Sequence, residues 1–377
     1  MNPTHHVFIA GGGGIGRALA LMLLDEPSFS CRVTIGDASV TTAGEAAEFA
    51  GVAGPVESIV MPIDGTSPEL AACLDGADAV LDCLPGSQAP RIAQMAREAD
   101  AHYLNLTEYV AETDQVLEIA RGASTAFALQ CGLAPGTINV LGHHLFIEAC
   151  SAWGCETVEA MRLRVGALPR HVRSPHFYGW TWSPVGVATE YVKPAVAVRN
   201  NRTVELPSLS ERATLIVDGV TYEEDLTSGG AADLPGALGE KVRNLDYKTL
   251  RFPGHYSWVD GLLMEIPDDS ARPGALQEAM EAAVPACQDD QVVIYADVEG
   301  RDHAGNLRVM KSARVIPGIT IAGRPLRAIQ STTAAGIAEA LRIVLEEKRT
   351  GPFLQSQIPT GRYLTGPFIR RAYGPLV

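Results

Sequence analysis

A run of glycines, Ala10-Gly11-Gly12-Gly13-Gly14-Ile15-Gly16, lies between an apolar stretch of strand character, residues 6–9, and one of helical character, residues 15–24. About twenty residues further on, a second strand-like stretch ends at Asp37. Residues of these types at this spacing can hold a dinucleotide. Gly11 permits a tight turn, Gly13 lets backbone approach a pyrophosphate, and Gly16 allows a helix to pack closely on its strand. The backbone N–H groups around Gly14 and Ile15 open that helix, whose positive end attracts phosphate. Asp37 is placed to accept hydrogen bonds from ribose hydroxyls. Its charge repels a 2′-phosphate, and Ala38-Ser39 add no cation, so NAD is expected in preference to NADP. Arg17 is a nearby cation that argues the other way.

The elements that must position these residues follow from the hydropathy pattern. Residues 42–51 read as a helix and 58–63 as a strand running into Asp64. Residues 67–74 form a helix introduced by Ser67 and Pro68, and 78–85 a strand that Pro85 terminates. Further helices are expected over 88–99 and 110–121, and strands over 102–106 and 125–131. Six strands alternating with helices specify an α/β domain, a doubly wound parallel sheet of the Rossmann type. Ligands of such sheets lie beyond the carboxyl ends of the strands. There the sequence sets the glycine loop, Asp37, Asp64, Cys83, Leu84, Pro85, Leu106, Thr107, Glu108, Tyr109 and Leu133.

From Gly132 the pattern changes. Residues 137–153 read as a long helix, 157–165 as a strand and 184–191 as a short helix. Asn200-Asn201 and Asp218-Gly219 each sit between short strand-like runs, as hairpin turns do, and 291–298 and 307–315 flank another turn. A second α+β domain on a largely antiparallel sheet is expected over 133–330. The late amphipathic helix at 332–348 then belongs to a segment, 331–377, that completes the first domain, 1–132.

Composition narrows the class. Apolar residues make up 46% and charged residues 20%, the balance of a soluble globular protein. A net charge of −14 argues against nucleic acid as a partner. No apolar run is long enough to span a membrane, and the start of the chain does not read as a signal peptide, so a cytoplasmic setting is expected. The cysteines at 31, 73, 83, 131, 150, 155 and 287 form no CxxC pair and look like reduced thiols. No metal site is expected, and His5-His6 read as a solvated strand entry.

Several stretches are more specific. Gly132-Leu133-Ala134-Pro135-Gly136 with Asn139, the strand end HYLNLTE at 102–108, and LDYKTLRFPGH at 245–255 together resemble the saccharopine dehydrogenase-like family. PSLSE at 207–211 and TSGG at 227–230 look like segments of its lysine 6-dehydrogenase branch. The resemblance runs over essentially the whole chain. It implies a Rossmann domain completed by the C-terminal helix, a mixed-sheet substrate domain, and a homodimer formed through that second domain. It also implies hydride transfer between nicotinamide and the carbon next to an amine nitrogen. Ala134 stands where many saccharopine reductases carry an acidic residue, and YGWTWSP at 178–184 looks closer to carboxynorspermidine and saccharopine enzymes.

The expected substrate is a small amine or amino acid, with L-lysine leading. Reductive condensation by a saccharopine or carboxynorspermidine dehydrogenase is the alternative, and a non-catalytic NAD-binding protein is a third reading. A lysine-type ammonium, with a pKa of about 10.4 in water, must become neutral before it can give up a hydride. Glu108 is the first candidate to bind or deprotonate it, or else caps the next helix. His255 is the second candidate, or a hydrogen-bonded structural residue. Lys248 and Arg251, alternating along a strand with Tyr247 and Thr249, could bind a substrate carboxylate or pair with acidic groups. Tyr109, Trp180 and Trp182 are candidates to line the substrate pocket, the tryptophans with core packing as their other reading.

Overall fold

The computed structural model describes residues 5–107, 110–172 and 174–377. The chain divides into two compact units: residues 1–137, 319–326 and 330–377 form one, and 138–318 with 327–329 the other.

In the first unit, strands and helices alternate as β1 (His5–Ala10), α1 (Gly14–Asp25), β2 (Cys31–Asp37), α2 (Val40–Ala50), β3 (Val56–Val60), α3 (Pro68–Leu74), β4 (Ala79–Asp82), α4 (Ala89–Glu98), β5 (His102–Asn105), α5 (Val110–Ala120) and β6 (Ala126–Ala128). Local chemistry sets several boundaries. The Ser39 and Ser67 hydroxyls accept the Thr42 and Leu70 N–H groups at the starts of α2 and α3, where Pro68 fits because the first turn needs no N–H from it. The strands are parallel, and β1 is apolar on both faces because helices cover both sides of such a sheet. His6 departs from the solvated entry expected of it. It is buried, with its ring nitrogens bonded to the Gly76 carbonyl (2.9 Å) and the Thr34 hydroxyl (3.0 Å).

The second unit is built from α6 (Thr137–Trp153), β7 (Val158–Pro169), α7 (Pro184–Val192), β8 (Ala195–Arg199), β9 (Arg202–Leu206), β10 (Ala213–Val217), β11 (Val220–Leu226), α8 (Leu234–Leu238), β12 (Val242–Arg251), α9 (His255–Glu265), α10 (Arg272–Ala283), β13 (Asp290–Arg301) and β14 (Leu307–Pro317). Its sheet runs β10-β11-β12-β7-β13-β14, with the β8–β9 hairpin branching from β12. Only the β12–β7 pairing in it is parallel, so the sheet is mixed and mostly antiparallel. Asn200-Asn201 and Asp218-Gly219 both take left-handed φ angles, as two-residue turns between twisted strands require. Alternation along β7 sends Met161 and Leu163 to the face covered by α6, where a Cβ on Gly142 would fall 2.3 Å from Leu163. Arg162 and Arg164 go to the opposite face and pair with carboxylates on β13, β12 and β11.

The chain then returns to the first unit through β15 (Ile319–Ile321) and β16 (Arg324–Leu326), followed by α11 (Ala328–Glu347), β17 (Gly351–Phe353), α12 (Thr360–Leu364) and α13 (Pro367–Tyr373). The expected six-stranded sheet has a seventh member: β17 pairs in parallel with β6, giving the order β17-β6-β5-β4-β1-β2-β3. Fully buried Glu339 on α11 fastens the segment, accepting the Phe368 N–H (3.1 Å) and pairing with Arg342. A Cβ on Gly366 would fall 2.0 Å from that carboxylate, so the chain passes there only as glycine. No helix among the described residues is long and apolar enough to cross a membrane, and no group of three or more described His, Cys, Asp or Glu residues could hold a metal ion.

Candidate functional site

At the carboxyl edge of the first sheet, each glycine of the loop has a separate geometric role. Gly11 takes a φ of 102° and donates its N–H to the Gly36 carbonyl at 2.7 Å. A Cβ on Gly16 would fall 1.9 Å from the Gly11 carbonyl, so the first turn of α1 packs directly on the loop. Gly13 differs from both. It precedes α1 with a φ of −64°, it is exposed, and no atom lies within 4 Å of where its Cβ would stand. No side chain caps the helix there, so its first N–H groups are left for a ligand.

The Asp37 carboxylate is fixed at the end of β2, accepting the Gly12 N–H and the Ser39 N–H, each at 2.9 Å. Arg17 turns away from it, with its guanidinium 4.9 Å from the centre of the Phe49 ring. Phe49 lies near the far end of α2, nine residues and about 13 Å of helix beyond Val40. Beside the loop, the Cys83 N–H bonds to the Ala10 carbonyl, and Leu84 donates to Asp82, whose other oxygen accepts the Tyr103 hydroxyl. Burial pushes the Asp82 carboxyl up to about 6. Asp64 is exposed, because β3 stops at Val60 and not at residue 63. Leu106 is half-buried and Thr107 buried after β5, and buried Leu133 sits in a loop closed by the Gly132 carbonyl, which accepts the Thr137 N–H at 2.9 Å. Glu108 and Tyr109 lie outside the described residues.

The second unit gathers a separate cluster. Arg251, the last residue of β12, is 1% exposed. Its Nε donates to the Tyr191 hydroxyl (2.6 Å) and its Nη1 to the Leu250 carbonyl (3.0 Å), while Nη2 is buried without a partner. The guanidinium lies 4.9 Å from the centre of the Tyr178 ring and 5.5 Å from that of Tyr191, within cation–π range of both. Trp180 stands edge-on to Tyr178, with its own indole N–H buried and without a partner. Glu190 is buried next to Tyr191 in the sequence, and its charge acts on Arg251.

His255 opens α9 and is fully enclosed. Its Nδ1 meets the His176 carbonyl (2.7 Å) and its Nε2 the Tyr191 hydroxyl (2.9 Å). Burial, and then the charge of Arg251, bring its imidazole down to about 3, so it is neutral at neutral pH.

The other substrate candidates lie elsewhere. The Lys248 ammonium donates to the Glu211 carbonyl and pairs with Glu224 (3.7 Å) and Glu211 (3.8 Å), as the acid-pairing reading of it required. Trp182 packs half-buried against the core that α7, α9 and α10 share. Arg251, Trp180 and His255 are therefore brought together, and Lys248 is committed to carboxylates. Tyr178, Tyr191 and Glu190 are members of this cluster that the sequence did not single out. A tyrosine at the end of a short helix carries no mark of the arginine it meets 60 residues later.

The first unit fits a dinucleotide on structural grounds: Gly13 leaves the approach to uncapped helix N–H groups clear, and a methyl group there would fill it. Gly11, Gly13, Gly14, Ile15 and Gly16 would hold the diphosphate and Asp37 the ribose. A bound nicotinamide supplies the hydride acceptor or donor. Residues 7–128 match the family model of the saccharopine dehydrogenase NADP binding domain, and residues 132–353 that of the saccharopine dehydrogenase C-terminal domain.

The chain belongs to the saccharopine dehydrogenase family. As a member it is an NAD(P)-dependent oxidoreductase acting on CH–NH donors. Its fold is similar to that of apo histidine-tagged saccharopine dehydrogenase (L-Glu forming) from Saccharomyces cerevisiae, with a TM-score of 0.72 at 13% identity over 98% of each chain. It is also similar to the homospermidine synthase of Legionella pneumophila in complex with NAD, with a TM-score of 0.67 at 13% identity over 99% of this chain and 90% of that one.

Proposed function

We propose that this family member is an NAD-dependent amine oxidoreductase that deaminates the side-chain amine of L-lysine. The product is the semialdehyde, formed as the imine hydrolyses. One observation carries the substrate reading: the unpartnered Nη2 of Arg251, in a cluster where Trp180, which packs on the same Tyr178 ring, also has an unpartnered indole N–H. Buried donors without acceptors invite an anion, and a guanidinium edge is suited to the carboxylate of an amino acid.

NAD is favoured because the fixed Asp37 carboxylate repels a 2′-phosphate and Arg17 is turned toward Phe49. Glu108 is assigned the proton that the side-chain ammonium must lose before hydride can leave, since His255 has both ring nitrogens engaged.

The test is to screen the purified protein with NAD and with NADP against L-lysine, saccharopine, L-ornithine and polyamines, following reduced nicotinamide. L-Lysine with NAD should give the highest rate. Turnover of saccharopine without turnover of lysine would replace this reading with reductive condensation run in reverse.

A further inference from the structure

We propose that Tyr191 and His255 are positioning residues that fix the orientation of the Arg251 guanidinium and thereby keep its buried Nη2 unpartnered, as the donor for a substrate carboxylate. The proposal rests on the carboxylate reading above.

The argument is one of hydrogen-bond direction. The His176 carbonyl can only accept, so the proton of the neutral His255 ring sits on Nδ1 and Nε2 carries a lone pair. The Tyr191 hydroxyl must therefore donate to Nε2, at 2.9 Å. Its oxygen is then turned to accept from Arg251 Nε, which lies 2.6 Å away. The chain can be satisfied in this one direction only, with every donor facing an acceptor.

A guanidinium has three nitrogens on which it can be held. Here Tyr191 holds Nε, the Leu250 carbonyl holds Nη1, and the Tyr178 ring lies against the plane. Rotation that would turn Nη2 inward breaks the first two bonds. The unpartnered edge is thus a fixed property of the site, in the sense that a pre-oriented donor loses little entropy on binding. Without the Tyr191 hydroxyl, the buried Nε–H has no acceptor. The guanidinium then turns to find one at the expense of the unpartnered Nη2.

The test uses the protein with NADH present, which fills the cofactor site without accepting a hydride from lysine, and calorimetric titration of three probes. They are L-lysine, 1,5-diaminopentane (the same amine without its carboxylate) and glutarate (carboxylate without amine). Tyr191→Phe keeps the ring and removes only the hydroxyl. It should weaken L-lysine and glutarate by about tenfold or more while changing 1,5-diaminopentane by less than about twofold. His255→Leu should behave like Tyr191→Phe. His255→Gln, whose amide can accept from Tyr191 and donate to the His176 carbonyl, should recover most of the loss.

Equal weakening of all three probes by Tyr191→Phe, or unchanged glutarate and lysine binding, overturns the positioning role. A wild-type protein that binds lysine and the diamine equally overturns the carboxylate reading itself. Thermal unfolding unchanged in all three variants confirms that they have folded.

Discussion

Replacing Gly13 by alanine separates what holds the glycine loop together from what the loop is for. In the free protein the new methyl group meets nothing within 4 Å, and the φ of −64° suits alanine. The loss of backbone freedom in the unfolded chain should make the variant as stable as the parent or more so, by about 0.4–1 kcal/mol. With a dinucleotide the same methyl stands where the diphosphate must approach the start of α1. Losing one hydrogen bond to a charged acceptor costs about 1.5–3 kcal/mol, so the dissociation constant should rise roughly 10- to 150-fold. Gly16→Ala is the control with the opposite signature. Its methyl would lie 1.9 Å from the Gly11 carbonyl, so it should lose stability and binding together. Fluorescence titration with reduced nicotinamide dinucleotide measures the affinities, and thermal unfolding measures the stabilities. A Gly13→Ala protein that binds as tightly as the parent would refute the assignment of the diphosphate to this helix.

Two other substitutions test the first unit. Asp37→Ser should narrow the preference for NADH over NADPH by about tenfold or more, in the same titration, because the charge facing the 2′ position is gone; an unaltered ratio would show that Asp37 does not read the ribose. Asp82→Asn tests the effect of burial. The carboxyl is raised from its ordinary 3.8 to about 6, so Asp82 takes up a proton on folding between those values, and stability is lost as pH rises through the folded value. A shift of about two units corresponds to about 3 kcal/mol in the charged state. Thermal unfolding should find Asp82→Asn more stable than the parent at pH 8 and no more stable at pH 4, and a gain of equal size at both would remove this explanation.

The parts legible in the sequence were those with a local signal. β1, α1 and β2 announce themselves by periodicity and glycine spacing, and the two hairpins by Asn200-Asn201 and Asp218-Gly219. What the sequence hid depends on distant partners. β17 is three residues, Gly351-Pro352-Phe353, too short for any period, and it exists as a strand because β6 offers it a backbone edge. α10 begins Arg272-Pro273-Gly274, which reads as a loop, and its burial of Leu276 and Met280 appears only once α7 and α9 are beside it. The parallel pairing of β12 with β7 joins stretches some 84 residues apart, as Val242 with Val158. The cluster at Arg251 was half visible. Alternation along β12 puts Arg251 on the face of Tyr247 and Thr249, opposite Lys248, but nothing local says that the one guanidinium is enclosed by two tyrosines while the ammonium on the other face is taken up by glutamates.

The way Glu339 and β17 fasten the returning segment bears on how the molecule is made. Five strands of the cofactor sheet and the whole glycine loop are synthesised before residue 110, yet the strand that covers the β6 edge emerges only after the entire second unit. During that interval on the ribosome, β6 presents unpaired backbone that could recruit a foreign strand. Order of synthesis and order of completion therefore run in opposite directions in this chain.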